Sequence, residues 1–370
     1  MKQILPPSNR PAMSALFGAM LLMIVELTLG QHLLAQTITY RVVELSAPDA
    51  DLVPIRLNNL GDVAGRSGDF GSSGRGATTW SRTTFKGKDL GVFPGADYAS
   101  ASAINDAGQI AGSLNAANSV IPFIWRPKSG LQRISLLPGD TCGQAFGINK
   151  NGDVVGYSSG SDGTRAFLWT RRRGTRNLGC LPGGNYSQAR AVNDSGQVAG
   201  TSRILSQDRA VLWSSTGQIR NLGTLAGDSS GEAVAINNAG DVVGYSKGPR
   251  RVRAFLWTAA TGMQDLGVLP GSIASRALDI NDLGEVVGSS GTSSNDRAFI
   301  WTKQEGMKDL NSAGSADLGV TFAEAHAINN LGQILVMGKS VHGMNSARAS
   351  APEDDCAPAP PSTFLLLPAR

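Results

Sequence analysis

Histidine and cysteine carry much of the nucleophilic and metal chemistry of proteins, and this sequence of 370 residues holds three of each. His32 falls in a leader-like N-terminal stretch, which leaves His326 and His342 as general bases for a Ser-His-Asp hydrolase. No Gly-x-Ser-x-Gly elbow, which needs a strand running into a helix, accompanies them. A histidine-rich metal site is excluded by count. Cys142, Cys180 and Cys356 form an odd set that fits neither a disulfide framework nor a zinc site of two cysteine pairs. Bridging Cys142 to Cys180 would need Cα atoms within about 7 Å, so ordinary thiols are expected.

Oxygen-rich turns are the next candidates. The pattern (Leu/Ile/Val)-Asn-x-x-Gly-(Asp/Gln/Glu)-(Val/Ile) occurs at Asn58, Asn105, Asn149, Asn193, Asn237, Asn281 and Asn329. Its oxygens could ligate a hard cation such as calcium. Several turns carry Gln at the last position (Gln109, Gln197, Gln333), which leaves the carboxylates too sparse. A hairpin whose Asn caps the turn is the expectation, with no metal and no cofactor. The six Trp could form an aromatic platform for carbohydrate, but each ends a short apolar run, as in Ala166-Phe167-Leu168-Trp169, which suits packing better. Basic clusters at Arg171-Arg172-Arg173 and Arg250-Arg251-Val252-Arg253 fall in turns on opposite faces of an up-and-down sheet. Solvated turns are expected there, with a weak anionic-glycan or lipid headgroup site as the alternative.

What could position any of these groups is a repeat. The asparagines recur at steps of 47, 44, 44, 44, 44 and 48, and the tryptophans, from Trp80 to Trp301, at 45, 44, 44, 44 and 44. Hydrophobic residues make up 41% of the chain, too many for disorder, and 46 glycines imply many turns. The net charge of +4 gives no reason to expect nucleic acid as a partner. Each unit reads as four short strands separated by turn signals, with no helical period. In one unit these are a strand ending at Ile148, then Asp153 to Tyr157, Arg165 to Thr170, and Thr175 to Gly179. Antiparallel units of this size, repeated, are the signature of propeller blades.

The expected fold is therefore an all-β, seven-bladed β-propeller of about 44-residue units. Six units are complete, and the seventh is assembled from both ends of the chain. The segment Tyr40 to Leu45 would be its lone fourth strand and Phe364 to Leu367 its third, so that no sheet edge is left exposed. Ala at positions 101, 145, 189, 233, 277 and 325 fits a crowded innermost strand. Residues 1–35 read as a signal peptide cleaved near 30–35, since Lys2 and Arg10 precede a short apolar stretch followed by small residues. An uncleaved anchor is the alternative. Residues 37–370 would form one domain, with 344–362 an exposed Pro/Ala-rich loop in the closing blade.

With these features the chain resembles the HAF (His-Ala-Phe) repeat family of bacterial extracellular proteins. Arg165-Ala166-Phe167, Arg253-Ala254-Phe255 and Arg297-Ala298-Phe299 carry the resemblance, together with the Ile-Asn-x-x-Gly-x-Val-Val-Gly strand pairs and the Asp-Leu-Gly-x-Leu-Pro-Gly connections. It covers nearly the whole chain after the leader. The His of the motif is Arg here, so no role for it carries over. The resemblance implies an exported β-repeat protein and no particular activity.

Function then falls to positions where the repeat is broken. Arg190, Asp279 and His326 stand on innermost strands where other units have small or apolar groups, and Glu232 and Glu324 lie close by. These five are the candidate ligand-binding residues around a central channel. The sequence implies a non-enzymatic binding scaffold, secreted or periplasmic and monomeric. Its partner would be an extracellular glycan or protein, with no membrane span once the leader is removed. The alternative is a propeller glycoside hydrolase or lyase, which would need paired carboxylates at a mechanism-specific separation.

Overall fold

A computed structural model describes residues 39–45, 52–67, 76–91, 95–116, 119–292, 295–313, 318–340 and 362–369. The leader and the Pro/Ala-rich stretch up to residue 361, with His32, His342 and Cys356, lie outside the described residues.

Four-stranded antiparallel sheets repeat along the chain. Residues 52–89, 98–133, 140–177, 186–223, 230–265 and 274–309 each supply one, here called units one to six. Units three and four touch through a single parallel bridge, Thr164 to Tyr186. A further, terminal sheet draws on both ends of the chain, in the order Tyr40–Glu44, Ser362–Pro368, Ile334–Ser340, Val320–Ile328. Tyr40 pairs with Pro368 and Glu44 with Phe364, which is the contact expected between the two ends.

Within unit three the strands are Asp140–Ile148, Val154–Gly160, Gly163–Thr170 and Gly174–Asn177. The first turn reverses at Gly152, whose φ of 78° lies where a β-carbon would be strained. A short 3-10 turn, Leu310–Ala313, lies where the step between units lengthens to 48.

Side chains from neighbouring units share each layer of core. Ala199, Ala210 and Leu212 of unit four pack with Ala233, Val242 and Phe255 of unit five. Trp80 and Trp213 are buried between sheets. Arg126 stacks over Trp169 and Arg220 over Trp257, each reaching from the preceding unit, with guanidinium-to-ring distances of 5.7 and 4.9 Å. The tryptophans are therefore packing elements.

The first strand of every unit shifts register by one residue just before its asparagine turn, as between Ala189 and Ala191 or Ala233 and Ala235. Such a bulge leaves one residue unpaired and tightens the twist. It also presses the first strand onto the second, where glycine is required. A β-carbon at Gly244 would overlap the carbonyl oxygen of Glu232, whereas one at Gly231 would meet nothing closer than 3.5 Å. Gly244→Ala is expected to cost about 1–3 kcal/mol through overpacking. Gly231→Ala, on the adjacent strand, is expected to be near neutral. Urea unfolding of the full chain measures both, and equal losses would contradict the bulge account.

Candidate functional site

The asparagine turns meet their neighbours through one repeated interaction. In each turn the side-chain oxygen accepts main-chain N–H groups of its own hairpin, as when Asn149 Oδ1 takes those of Asn151 and Asp153, both at 3.0 Å. The side-chain nitrogen instead donates to the main-chain oxygen of the next unit's asparagine. The series runs Asn58 to Asn105, Asn149, Asn193, Asn237, Asn281 and Asn329, and Asn329 donates to Asn58, all at 2.9–3.3 Å. All seven are buried.

The residue after each asparagine forms an outer ring: Asn59, Asp106, Lys150, Asp194, Asn238, Asp282 and Asn330. Asp282 accepts the main-chain N–H of Asn238 at 2.8 Å and side-chain amides of Asn238 and Asn330 at 3.0 and 2.8 Å. Burial works to raise its carboxyl, but these hydrogen bonds and the charge of Lys150 hold it below the usual range. The turn oxygens are thus engaged within the protein. Among the described residues no group of three His, Cys, Asp or Glu is arranged to hold a metal ion.

Beneath this ring lies a cavity of about 210 Å³, lined by the first-strand ends of every unit and of the terminal sheet. Asp279 and Arg190 line it, and so does Arg56, which the sequence reading had not singled out. Glu232, Glu324 and His326 do not line it. Arg190 and His326 are the unpaired bulge residues of their strands, hence equivalent to each other, while Asp279 and Arg56 occupy the position after the bulge.

Asp279 and Arg56 are held mainly by backbone. Asp279 accepts the N–H groups of Ile280 and Ile328, both at 3.0 Å. Burial pushes its carboxyl up, offset in part by Arg56 and those two hydrogen bonds. Arg56 donates to the main-chain oxygens of Ile55 and His326 at 2.9 and 3.2 Å. His326 lies against Met337 Sδ, with Glu324 Oε1 3.8 Å away.

A second cluster lies towards the other end of the first strands. Ser100, Gln144, Gln188, Glu232, Arg276 and Glu324 hold equivalent positions there, opposite Ser113, Tyr157, Thr201, Tyr245, Ser289 and Met337 on the second strands. Glu232 pairs with Lys247 at 2.8 Å and hydrogen-bonds Tyr245. Arg276 and Lys247 both lie over the Tyr245 ring, at 5.6 and 4.9 Å. Arg203 stacks on Tyr186 at 4.3 Å and pairs with Asp208 at 2.8 Å. Arg190 stacks on Phe146 at 4.6 Å, and Phe146 meets Tyr157 at 5.7 Å. The hydroxyls of Tyr157, Tyr186 and Tyr245 are all pushed up, first by burial, and the charge of Arg190 opposes the rise at each. Arg190 thus sits within electrostatic reach of three rings.

Other candidates resolve as structure. The string Gly-x-Ser-x-Gly does occur, at 156–160, 227–231 and 244–248, but no helix follows any of them. Ser158 and Ser246 are buried and accept the N–H groups of Leu137 and Leu225 at 3.0 and 3.1 Å. Cys142 and Cys180 are free thiols. Arg251 pairs with Asp228 at 2.8 Å, so the second basic cluster is partly spent on the fold. The Arg of the Arg-Ala-Phe runs also braces connections: Arg165 pairs with Asp140 at 2.6 Å, and Arg297 with Asp309 at 2.7 Å.

These stacked antiparallel sheets define a protein of the β-propeller class, and comparison with solved structures agrees. The chain is similar to streptogramin B lyase, with a TM-score of 0.52 and 13% identity over 89% of this chain and 98% of that one. It is similar to oligogalacturonate lyase from Vibrio parahaemolyticus, with a TM-score of 0.53 and 12% identity over 90% and 94%. It is also similar to the β-propeller domain of the Trilobed protease from Pyrococcus furiosus, with a TM-score of 0.52 and 10% identity over 79% and 89%. At such identities the likeness speaks to fold alone. No family model and no curated protein matches the sequence.

His326 gives the site a pH signature. Burial, then the charge of Arg56, push its imidazole down to about 4. A base with a depressed folded pKa leaves the unfolded chain binding more protons, so its contribution to stability falls as pH drops from about 6.5 to about 4. The full shift corresponds to ~3 kcal/mol. The carboxyls of Asp279 and Glu324, both raised, act in the opposite sense. His326→Gln should therefore lose less stability than the parent between about pH 7 and about pH 4.5. Urea unfolding at the two pH values reads the difference, and parallel losses would contradict the assignment.

Proposed function

We propose that the chain is exported and that its sheets close into a seven-bladed β-propeller, a non-enzymatic binding scaffold working at the cell surface or outside the cell. Closure is supported by the strand pairing of Tyr40–Glu44 with Ser362–Pro368 and by the hydrogen bond from Asn329 to Asn58. Export is supported by the basic and then apolar N-terminal stretch. Binding is supported chiefly by one observation: charged and aromatic side chains break the repeat around the first strands of units three to six and of the terminal sheet. Arg190, Glu232, Arg276 and Glu324 stand there with three of the chain's five tyrosines.

A glycoside hydrolase or lyase would need two available carboxyls, or a base and an acid, facing one substrate bond. Glu232 is held by Lys247, Asp279 is turned onto main-chain N–H groups, and His326 is half-buried against Met337. That distribution favours binding over turnover.

Two experiments test this. Deleting the residues after Ser362 removes a central strand of the terminal sheet, exposing edges on both sides. The whole fold should lose stability in one cooperative step, and an unchanged melting temperature would sink the closed ring. A glycan array probed with the full chain at low and raised salt should retain a ligand class that the Tyr186→Ala/Tyr245→Ala variant loses. Release of shortened or unsaturated sugars from that class would overturn the non-enzymatic reading.

A further inference from the structure

The ligand class can be narrowed from the second cluster, on the reading that the propeller binds through its axis. Two of its cations have no carboxylate within ion-pair distance, although Glu324 lies within electrostatic reach of Arg276. Arg203 and Lys247 have carboxylate partners at 2.8 Å. Arg190 and Arg276 have none within ion-pair distance among the described residues, and their near contacts are the faces of Phe146 and Tyr245. Arg276 is solvent-exposed, and Arg190 and the three tyrosines are half-buried. Stacking orients each guanidinium while leaving its N–H fork free, which suits a planar, two-oxygen anion.

The neighbours of Arg190 are hydroxyls and amides, while Glu232 and Glu324 hold the equivalent positions on either side of Arg276. Tyr157 and Tyr245 lie on the second strands, Tyr186 opens a first strand, and Gln144 and Gln188 stand beside them. Gln144 and Gln188 present both donors and acceptors, and Tyr rings present an apolar face with a polar edge. A pyranose has the matching surface: C–H faces for the rings, hydroxyls for the amides and phenols, and, when acidic, an anion for the arginines.

We propose that the axial mouth around Arg190, Arg276, Tyr157, Tyr186 and Tyr245 binds an acidic polysaccharide, recognising the anionic group of a sugar unit with the two arginines and its ring with the tyrosines. Carboxylated and sulfated sugars share this chemistry. The turn ring, above the cavity that Arg190 also lines, is a poorer anion site, since three of its seven members are aspartates and one is Lys150.

The test is calorimetric titration of the full chain with three probes at raised salt: a uronate oligosaccharide, the same oligosaccharide methyl-esterified, and a heparin oligosaccharide. Binding of the free uronate at least ~10-fold tighter than of its ester is expected, with Arg276→Gln and Arg190→Gln each reducing it ~10-fold or more. Binding of heparin instead, with the same arginine dependence, assigns the anion as sulfate and sustains the proposal. Equal binding of acid and ester, or binding indifferent to both arginines, overturns the acidic class while leaving a scaffold for neutral glycans intact. Binding of none of the probes, or equal binding of an oligodeoxynucleotide, overturns the proposal outright. Cleavage of a bound probe would defeat the scaffold reading and keep the ligand class. Far-ultraviolet circular dichroism and melting of both variants establish that they fold. Arg276→Lys, which keeps the charge and loses the fork, should recover only part of the affinity.

Discussion

Each buried asparagine of the repeat serves two structures at once. Its oxygen closes a hairpin inside one unit, and its nitrogen ties that hairpin to the next unit. A buried polar group left without a partner costs about 1–3 kcal/mol, so neither half of this arrangement can be given up alone. Local turn formation and the docking of units are therefore coupled through a single side chain. Aspartate would lack the donor and serine the reach. The apolar layers between sheets supply most of the stabilisation, but hydrophobic burial has no direction. The asparagines fix how far one unit is displaced from the next, which the packing of Ala, Val and Leu would leave loosely defined.

The bulge before each asparagine follows from the same crowding. First strands with Ala or Gly on either side of the bulge can approach one another, and Gly147 shows how closely: a β-carbon there would come within 3.0 Å of Arg190 O. At this bulge one residue of each first strand is left outside the ladder. In the repeat these residues are Ile55, Ser102, Phe146, Arg190, Val234, Leu278 and His326, a chemically varied series. A position freed from pairing can change without disturbing the sheet, which is where a scaffold can acquire specificity.

Much of this was legible in the sequence. The period, the four strands, the capped turns and the pairing of the chain ends rest on spacing and turn chemistry, which local rules govern. The site was less so. Counting back from the asparagine does not reveal a bulge, so the equivalence of Arg190 with His326, and of Arg56 with Asp279, was hidden. Grouping Asp279 with Glu232 and Glu324 joined residues that lie towards different ends of the strands. The tyrosines were missed although a signal existed: Tyr157 and Tyr245 follow a Val-Val-Gly run where unit six has Ser289. The buried serines behind the Leu-Pro-Gly connections left no mark beyond recurrence, because their role depends on a partner 21 residues away.

Departures from a repeat separate into two kinds, and the distinction bears on where a ligand belongs. Asp279 and Arg56 depart, yet each finds main-chain partners nearby: two N–H groups for the carboxylate and two carbonyl oxygens for the guanidinium. Such residues are satisfied without help, and their presence is accounted for by the fold. Arg190 and Arg276 also depart, but their contacts are ring faces, and a guanidinium on a ring keeps most of its donors for something else. A half-buried cation without a counter-ion lowers stability relative to the apolar residue most of the equivalents of Arg190 carry. A fold with no use for Arg190 would be better served by the valine or leucine found at the same position in units five and six. An acidic ligand of the kind proposed would offset that cost, which is why the proposal rests on the arginines rather than the carboxylates.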